Sequence, residues 1–165
     1  MRDSELIRIG RRQRYADMRR SFRWDIPERF NFATDVVDAW AAERDGTAVI
    51  TETAAGEVRS LRFSDVSKAS SRLADVLRSS GIAKGDRVIV MLPRVPEWQI
   101  ALIACLRIGA VAIPCIEMLT GKDIGYRVVN SGARAAICRA EHVGKLAEVE
   151  AAIPVRIAIG GAPGW

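Results

Sequence analysis

Few residues in the chain combine chemistry with useful spacing. Arg94 and Glu97 bracket a Val-Pro pair just beyond an apolar run, and Trp98 follows at once. A cation, a carboxylate and an aromatic wall at the carboxyl end of a strand suit an anionic or acyl ligand, because open α/β sheets place their sites there. A simpler reading has Arg94 and Glu97 pinning the turn and complementing the positive start of a helix, with Trp98 a core tryptophan. Arg94 and Trp98 are the candidate cofactor-binding residues, and no residue presents itself as catalytic or metal-binding.

Other features suggest less. Gly160-Gly161-Ala162-Pro163-Gly164 follows an apolar run as a phosphate cradle would, but neither a lysine nor a helix start follows. His142 has no cysteine or second histidine at ligand spacing and reads as an exposed or capping residue. Cys105, Cys115 and Cys138 are odd in number and set among apolar residues, as buried small hydrophobes are; the other reading for Cys115 is a reactive thiol. Lys84 and Lys122 fall in turns, as solvated lysines do, and Tyr126 is expected to pack its ring on a sheet with the hydroxyl outward.

The elements that would position these residues follow a βαβ rhythm from about Leu61. Ser64 is expected to cap a helix that ends near Ser80 at a Gly81 left-handed cap. Arg87 to Leu92 reads as a strand covered on both faces. Pro96 opens a helix buried on most sides, which Gly109 ends. Val111 to Ile113 reads as a strand stopped by Pro114. Thr120 and Asp123 form a capping box for a helix closed by Ser131-Gly132. A strand from Arg134 to Cys138, a helix from Glu141 to Ala152 and a strand from Val155 to Ile159 complete the series. Upstream, Phe32 to Trp40 reads as helical with Val36, Val37 and Trp40 as contacts, and Thr47 to Thr53 pairs with Val58 to Phe63 across a Gly56 turn. The expected fold class is α/β, an αβα layered segment on a mostly parallel sheet. Residues 1–33 are expected to form a basic arm broken at Pro27, and residues 34–165 one partial α/β domain.

The net charge of +5 gathers at the start, where Arg11, Arg12, Arg14, Arg19, Arg20 and Arg23 cluster. No stacking module or helix-turn-helix spacing accompanies them, so a solvated arginine-rich helix is expected and no nucleic-acid partner. No apolar run reaches the roughly 18 residues of a membrane span. Arg8, Arg11, Arg12 and Arg14 fall where a secretory signal needs an apolar core, and Asp3, Glu5 and Asp17 disfavour a transit peptide. With free cysteines, a reducing, cytoplasmic location is expected.

Several stretches resemble the adenylate-forming superfamily, and its medium-chain acyl-CoA synthetase branch in particular. Phe30-Asn31-Phe32 through Asp38-Ala39-Trp40 is similar to that branch's amino-terminal helix, and Leu61-Arg62-Phe63-Ser64-Asp65-Val66 to the first core motif. Gly85-Asp86-Arg87-Val88 with Leu92-Pro93-Arg94-Val95-Pro96-Glu97-Trp98 resembles its strand, turn and buried helix. Leu106-Arg107-Ile108-Gly109-Ala110-Val111-Ala112-Ile113-Pro114 resembles the second core motif, and Asp123-Ile124-Gly125-Tyr126-Arg127 continues the likeness. The resemblance implies a ligase that converts a carboxylic acid, ATP and coenzyme A to acyl-CoA, AMP and pyrophosphate, with Mg2+ accompanying ATP. It also implies that the phosphate loop, adenine and ribose motifs, acyl pocket and catalytic lysine lie further along much longer chains. This chain is therefore expected to be an amino-terminal structural portion of a fatty acid metabolism enzyme, inactive alone, binding none of these cofactors tightly and self-associating through exposed apolar surface.

The residues leave two other readings open. One is a free-standing α/β nucleotide-binding or receiver-like module, which the βαβ rhythm also suits. The other is a basic interaction module acting through the arginine arm.

Overall fold

The computed structural model describes residues 14–165. Their division falls after Phe30. On the first side, residues 14–21 form a helix, α1, whose side chains are all exposed. The chain from 22 to 27 is non-helical, consistent with the break expected at Pro27. Arg8, Arg11 and Arg12 lie outside the described residues.

The second side, Asn31–Trp165, begins with α2, in which a π-wound stretch, Ala33–Asp38, runs into a regular turn, Ala39–Glu43. Strands β1 (Thr47–Glu52) and β2 (Val58–Arg62) form an antiparallel hairpin. Next come α3 (Phe63–Ser79), β3 (Arg87–Met91), α4 (Pro96–Ile108), β4 (Val111–Cys115), α5 (Gly121–Ser131) and β5 (Ala135–Arg139). A 3₁₀ segment, Ala140–Ala152, leads to β6 (Val155–Ile159). Strands β4-β3-β5-β6, in that order, form a parallel sheet.

β3 sits between two neighbours, so each of its faces meets a helical layer. Val88 and Val90 pack with Ala74 and Leu77 of α3 and Ala104 and Cys105 of α4. Ile89 and Met91 point the other way, onto Ile124 and Val128 of α5 and onto Leu146 and Ile153. This alternation makes the three αβα layers and explains why β3 reads as an almost unbroken apolar run. A third cluster seats α2 and the hairpin on the flank through Ala33, Val37, Val66 and Ile103. Val36 is half-buried, and Trp40 stacks on Phe63 with ring centroids 5.5 Å apart.

Several local expectations hold in detail. Gly81 takes φ +87°, and the N–H groups of Gly81 and Ile82 donate to the carbonyls of Arg78 and Leu77, closing α3 with a Schellman turn. Pro96 occupies the first turn of α4, and Gly109 ends that helix in the left-handed region. Thr120 and Asp123 cap α5 reciprocally.

Others need correction. Ser64 does not cap α3: the cap is Arg62, whose N–H donates to Asp65, while Ser64 N–H and hydroxyl donate to Asp45. Pro114 does not stop β4, which runs on to Cys115 with Pro114 opposite Val90. β4 is an edge strand, where a residue without an N–H is tolerated. The stretch after β5 is wound as a 3₁₀ helix rather than an α-helix. Leu106 is exposed on α4, and the Tyr126 ring lies in solvent instead of on the sheet.

The amino end of the sheet is fastened by polar groups. Asp86 accepts from Ala83 N–H at 2.8 Å and from Arg134 at 3.1 Å. Arg87 donates through Nε and a terminal nitrogen to the Ser131 and Gly132 carbonyls, at 2.7 and 2.8 Å. Arg107, at the end of α4, forks onto Asp38 at 2.6 and 2.8 Å and also reaches the Ser70 hydroxyl. Ser67 donates to the same carboxylate. The Arg107 hydrogen bonds hold the Asp38 carboxyl below its ordinary range, with Ser67 assisting and burial opposing. Asn31 adds side-chain donations to the Leu106 and Arg107 carbonyls, joining α2 to the carboxyl end of α4.

Candidate functional site

The opposite end of the sheet is open. A groove of about 660 Å³ lies where β3 and β4 end, with β1 forming one bank. Val49 and Ile50 come from β1, while Arg94 and Trp98 come from the turn and helix after β3. Pro114 through Met118 supply the facing wall, with Glu117 as its carboxylate. The turn after Met91 is set by Pro93 and Pro96, so the chain leaves the sheet and enters α4 without a free choice of path.

The order of the strands puts this groove to one side of the usual ligand position. The chain passes from β3 to β4 on one flank and from β5 to β6 on the other, so the connections diverge between β3 and β5. The groove lies instead over β3 and β4. Its walls are mostly apolar, with Arg94 exposed and Trp98 half-buried. Trp98 packs on the α3–α4 core cluster, as the core reading expects, and its outer side lines the groove. Glu97 is exposed at the start of α4 and is not part of the lining.

A contact absent from any local pattern lies beside the groove. His142 is neither exposed nor a cap; its Nε2 stands 2.9 Å from Glu117 Oε1 and 3.8 Å from Glu141 Oε1. The three side chains are near enough to share a cation. Arg139 already binds the Glu141 carboxylate at 3.2 Å, which occupies that oxygen with an internal ion pair. Lys145 donates to the Glu117 carbonyl and fixes the loop after β4 against the 3₁₀ segment. Sequence separation hid this meeting, since Glu117 and His142 belong to connections on either side of α5.

The cysteines are buried as expected. Burial pushes the Cys105 and Cys138 thiols up to about 12. It also raises Cys115, with Arg127 pulling weakly the other way, so the structure argues against a reactive thiol there. Gly160 and Gly161 both adopt positive φ in a turn closed by Gly161 N–H donating to the Ala158 carbonyl, and a second turn follows, with Trp165 N–H donating to the Ala162 carbonyl.

A triphosphate requires converging backbone N–H groups and cations. The groove brings one guanidinium, Arg94, and one carboxylate, Glu117, to apolar walls. These residues do not fit ATP with its magnesium.

The layered fold is that of acyl-CoA synthetase amino-terminal regions. A crystal structure of a Brucella canis acyl-CoA synthetase superposes with a TM-score of 0.71 at 30% identity, over 82% of this chain and 24% of that one. The anthranilate CoA ligase AuaEII, solved with anthranoyl-AMP, shares the fold with a TM-score of 0.72 at 22% identity, over 83% of this chain and 26% of that chain. Among curated proteins, human mitochondrial acyl-coenzyme A synthetase ACSM3 is 40% identical over 130 residues, which are 74% of this chain and 22% of the relative. Rat mitochondrial ACSM2 is 38% identical over 137 residues, 79% of this chain and 23% of the relative. The AMP-binding enzyme family profile matches residues 37–161, and the chain belongs to that family. It spans under a quarter of the length of these curated relatives. Among the described residues no helix is long and apolar enough to cross a membrane.

Proposed function

We propose that the α/β unit, expected over residues 34–165 and beginning at Asn31 in the structure, forms part of the large α/β domain of an AMP-forming acyl-CoA synthetase, with the residues before it a basic arm. In that reaction a carboxylate oxygen of the acid attacks the α-phosphorus of ATP and pyrophosphate leaves. The thiolate of coenzyme A then attacks the acyl carbon and AMP leaves. Magnesium, when bound, neutralises phosphate charge. The share of this chain is scaffold: its sheet and helices hold Trp98, Ile116 and Met118 as an apolar wall, with Arg94 at the rim. The observation that carries the reading is the family match across residues 37–161.

The acid belongs to fatty or aromatic acid metabolism, the location is a reducing, cytoplasmic one, and no nucleic acid takes part. The exposed apolar side chains Ile116 and Met118 favour self-association of the isolated chain.

Two measurements test this reading. The 165-residue chain alone is expected to show no acid-dependent exchange of pyrophosphate into ATP, and robust exchange with any fatty or aromatic acid overturns the scaffold role. Substituted for the matching residues of human ACSM3, the chain is expected to support exchange. A folded but inactive chimera, beside an active parent, counts against the enzyme class.

A further inference from the structure

We propose that α1 and the residues just after it dock on an anionic lipid surface. Through Trp24 the sequence holds eight arginines against three acidic residues, whereas from Asp25 onward basic and acidic residues are equal in number. The whole net charge of the chain therefore resides in residues 1–24, of which α1 and the residues just after it hold four arginines and one aspartate. Within the described residues, Arg14, Arg19, Arg20 and Arg23 face a single acidic neighbour, Asp17, which Arg20 engages.

The same segment carries an apolar stripe. Tyr15, Met18 and Phe22 recur at helical spacing, and the Phe22 N–H donates to the Met18 carbonyl, so Phe22 closes the last turn of α1. All three are more than half exposed, and Trp24 is 80% exposed. Phe22 and Trp24 meet edge to face with centroids 5.1 Å apart, which stiffens the aromatic end of the stripe. Arg23 bonds the Arg20 and Phe22 carbonyls at the helix end and keeps its charge there.

A basic helix with one aromatic and aliphatic stripe suits the boundary between headgroups and acyl chains. There tryptophan and phenylalanine enter the apolar side and arginine stems reach back to the phosphates. Single-stranded nucleic acid fits less well, because Met18 gives bases nothing to stack on and Asp17 sits among the arginines.

Flotation of the full chain with vesicles tests the proposal. Binding is expected to phosphatidylcholine vesicles carrying a minor share of phosphatidylglycerol, to weaken as salt rises, and to be slight on phosphatidylcholine alone. Arg19→Ser with Arg20→Ser is expected to weaken binding about twentyfold. Phe22→Ser with Trp24→Ser is expected to weaken it about tenfold or more. Vesicles should shift the tryptophan emission to the blue, and Trp24→Phe should remove most of that shift. Ile116→Ser with Met118→Ser, which alters the groove and leaves α1 intact, is expected to keep binding unchanged. Equal binding to neutral vesicles, indifference to the α1 variants, loss with the groove variant, or tighter binding to DNA than to vesicles each overturns the proposal.

Discussion

The two ends of the parallel sheet are built on different principles. At the amino end, Asp86, Arg87 and Arg107 bond backbone carbonyls, an N–H group, the Asp38 carboxylate, the Arg134 guanidinium and the Ser70 hydroxyl. At the carboxyl end the walls are Val49, Trp98, Ile116 and Met118, with Arg94 exposed at the rim and Glu117 turned against His142. The amino end pairs most of its polar groups within this chain, Arg107 Nε being left buried without a partner, and the carboxyl end offers apolar surface. Motifs shared with a family need not mark its chemistry, since the Gly85-Asp86-Arg87 and Leu106-Arg107-Ile108-Gly109 stretches serve here as fasteners.

The largest effect expected from testing this contrast is at Arg107. Arg107→Met removes the fork onto Asp38 and should lower unfolding free energy by about 2–3 kcal/mol in a urea titration, because the carboxylate loses its charged donors. The same variant sharpens the acid limb. Asp38 has a depressed carboxyl pKa in the folded chain, so its contribution is present above the unfolded value and is lost as pH falls through the folded value. Native protein should therefore lose stability on acidification below about pH 4. Arg107→Met should flatten that part of the curve, and an unchanged slope would assign the acid sensitivity elsewhere.

Asp86→Ala comes next, at about 1–2 kcal/mol, since Ala83 N–H and Arg134 lose their acceptor together. Gly132→Ala should cost about 1 kcal/mol. Gly132 adopts φ +59°, and an added Cβ would stand 2.9 Å from the Arg87 guanidinium. The smallest change in stability belongs to the open end. Met118→Ser, at a side chain 87% exposed, should move unfolding by under about 0.5 kcal/mol. It should nevertheless reduce binding of an apolar dye and self-association measured by sedimentation. A Met118→Ser penalty as large as that of Asp86→Ala would erase the distinction between the two ends.

Thiol chemistry gives a further check. With Cys105 and Cys138 pushed up to about 12 by burial and Cys115 also raised, iodoacetamide should label the native chain slowly and all three sites quickly in denaturant. Fast labelling of Cys115 alone would show that the groove opens to its sulfur.

What the sequence revealed divides along the same physical line. Signals held within a turn or a strand were legible: the apolar run of β3, Pro96, Gly109, and the Thr120 and Asp123 box. Features that depend on distant partners were not. Asp45 draws Ser64 away from capping α3 and leaves Arg62 in that place. Pro114 looked like a stop because nothing local says that β4 has an open side. Of the candidate site, Arg94 and Trp98 stand beside one turn and were visible, whereas Ile50 and Met118 reach the groove only through the hairpin and the loop after β4.

Pro114 has one more implication. By withholding an amide from the outer margin of β4, it makes that margin a poor template for another chain to zip onto, whereas the outer margin of β6 contains no such interruption. Enlargement of the sheet, by any further strand, is thereby biased toward β6. The hairpin and groove flank is kept for side chains to meet side chains.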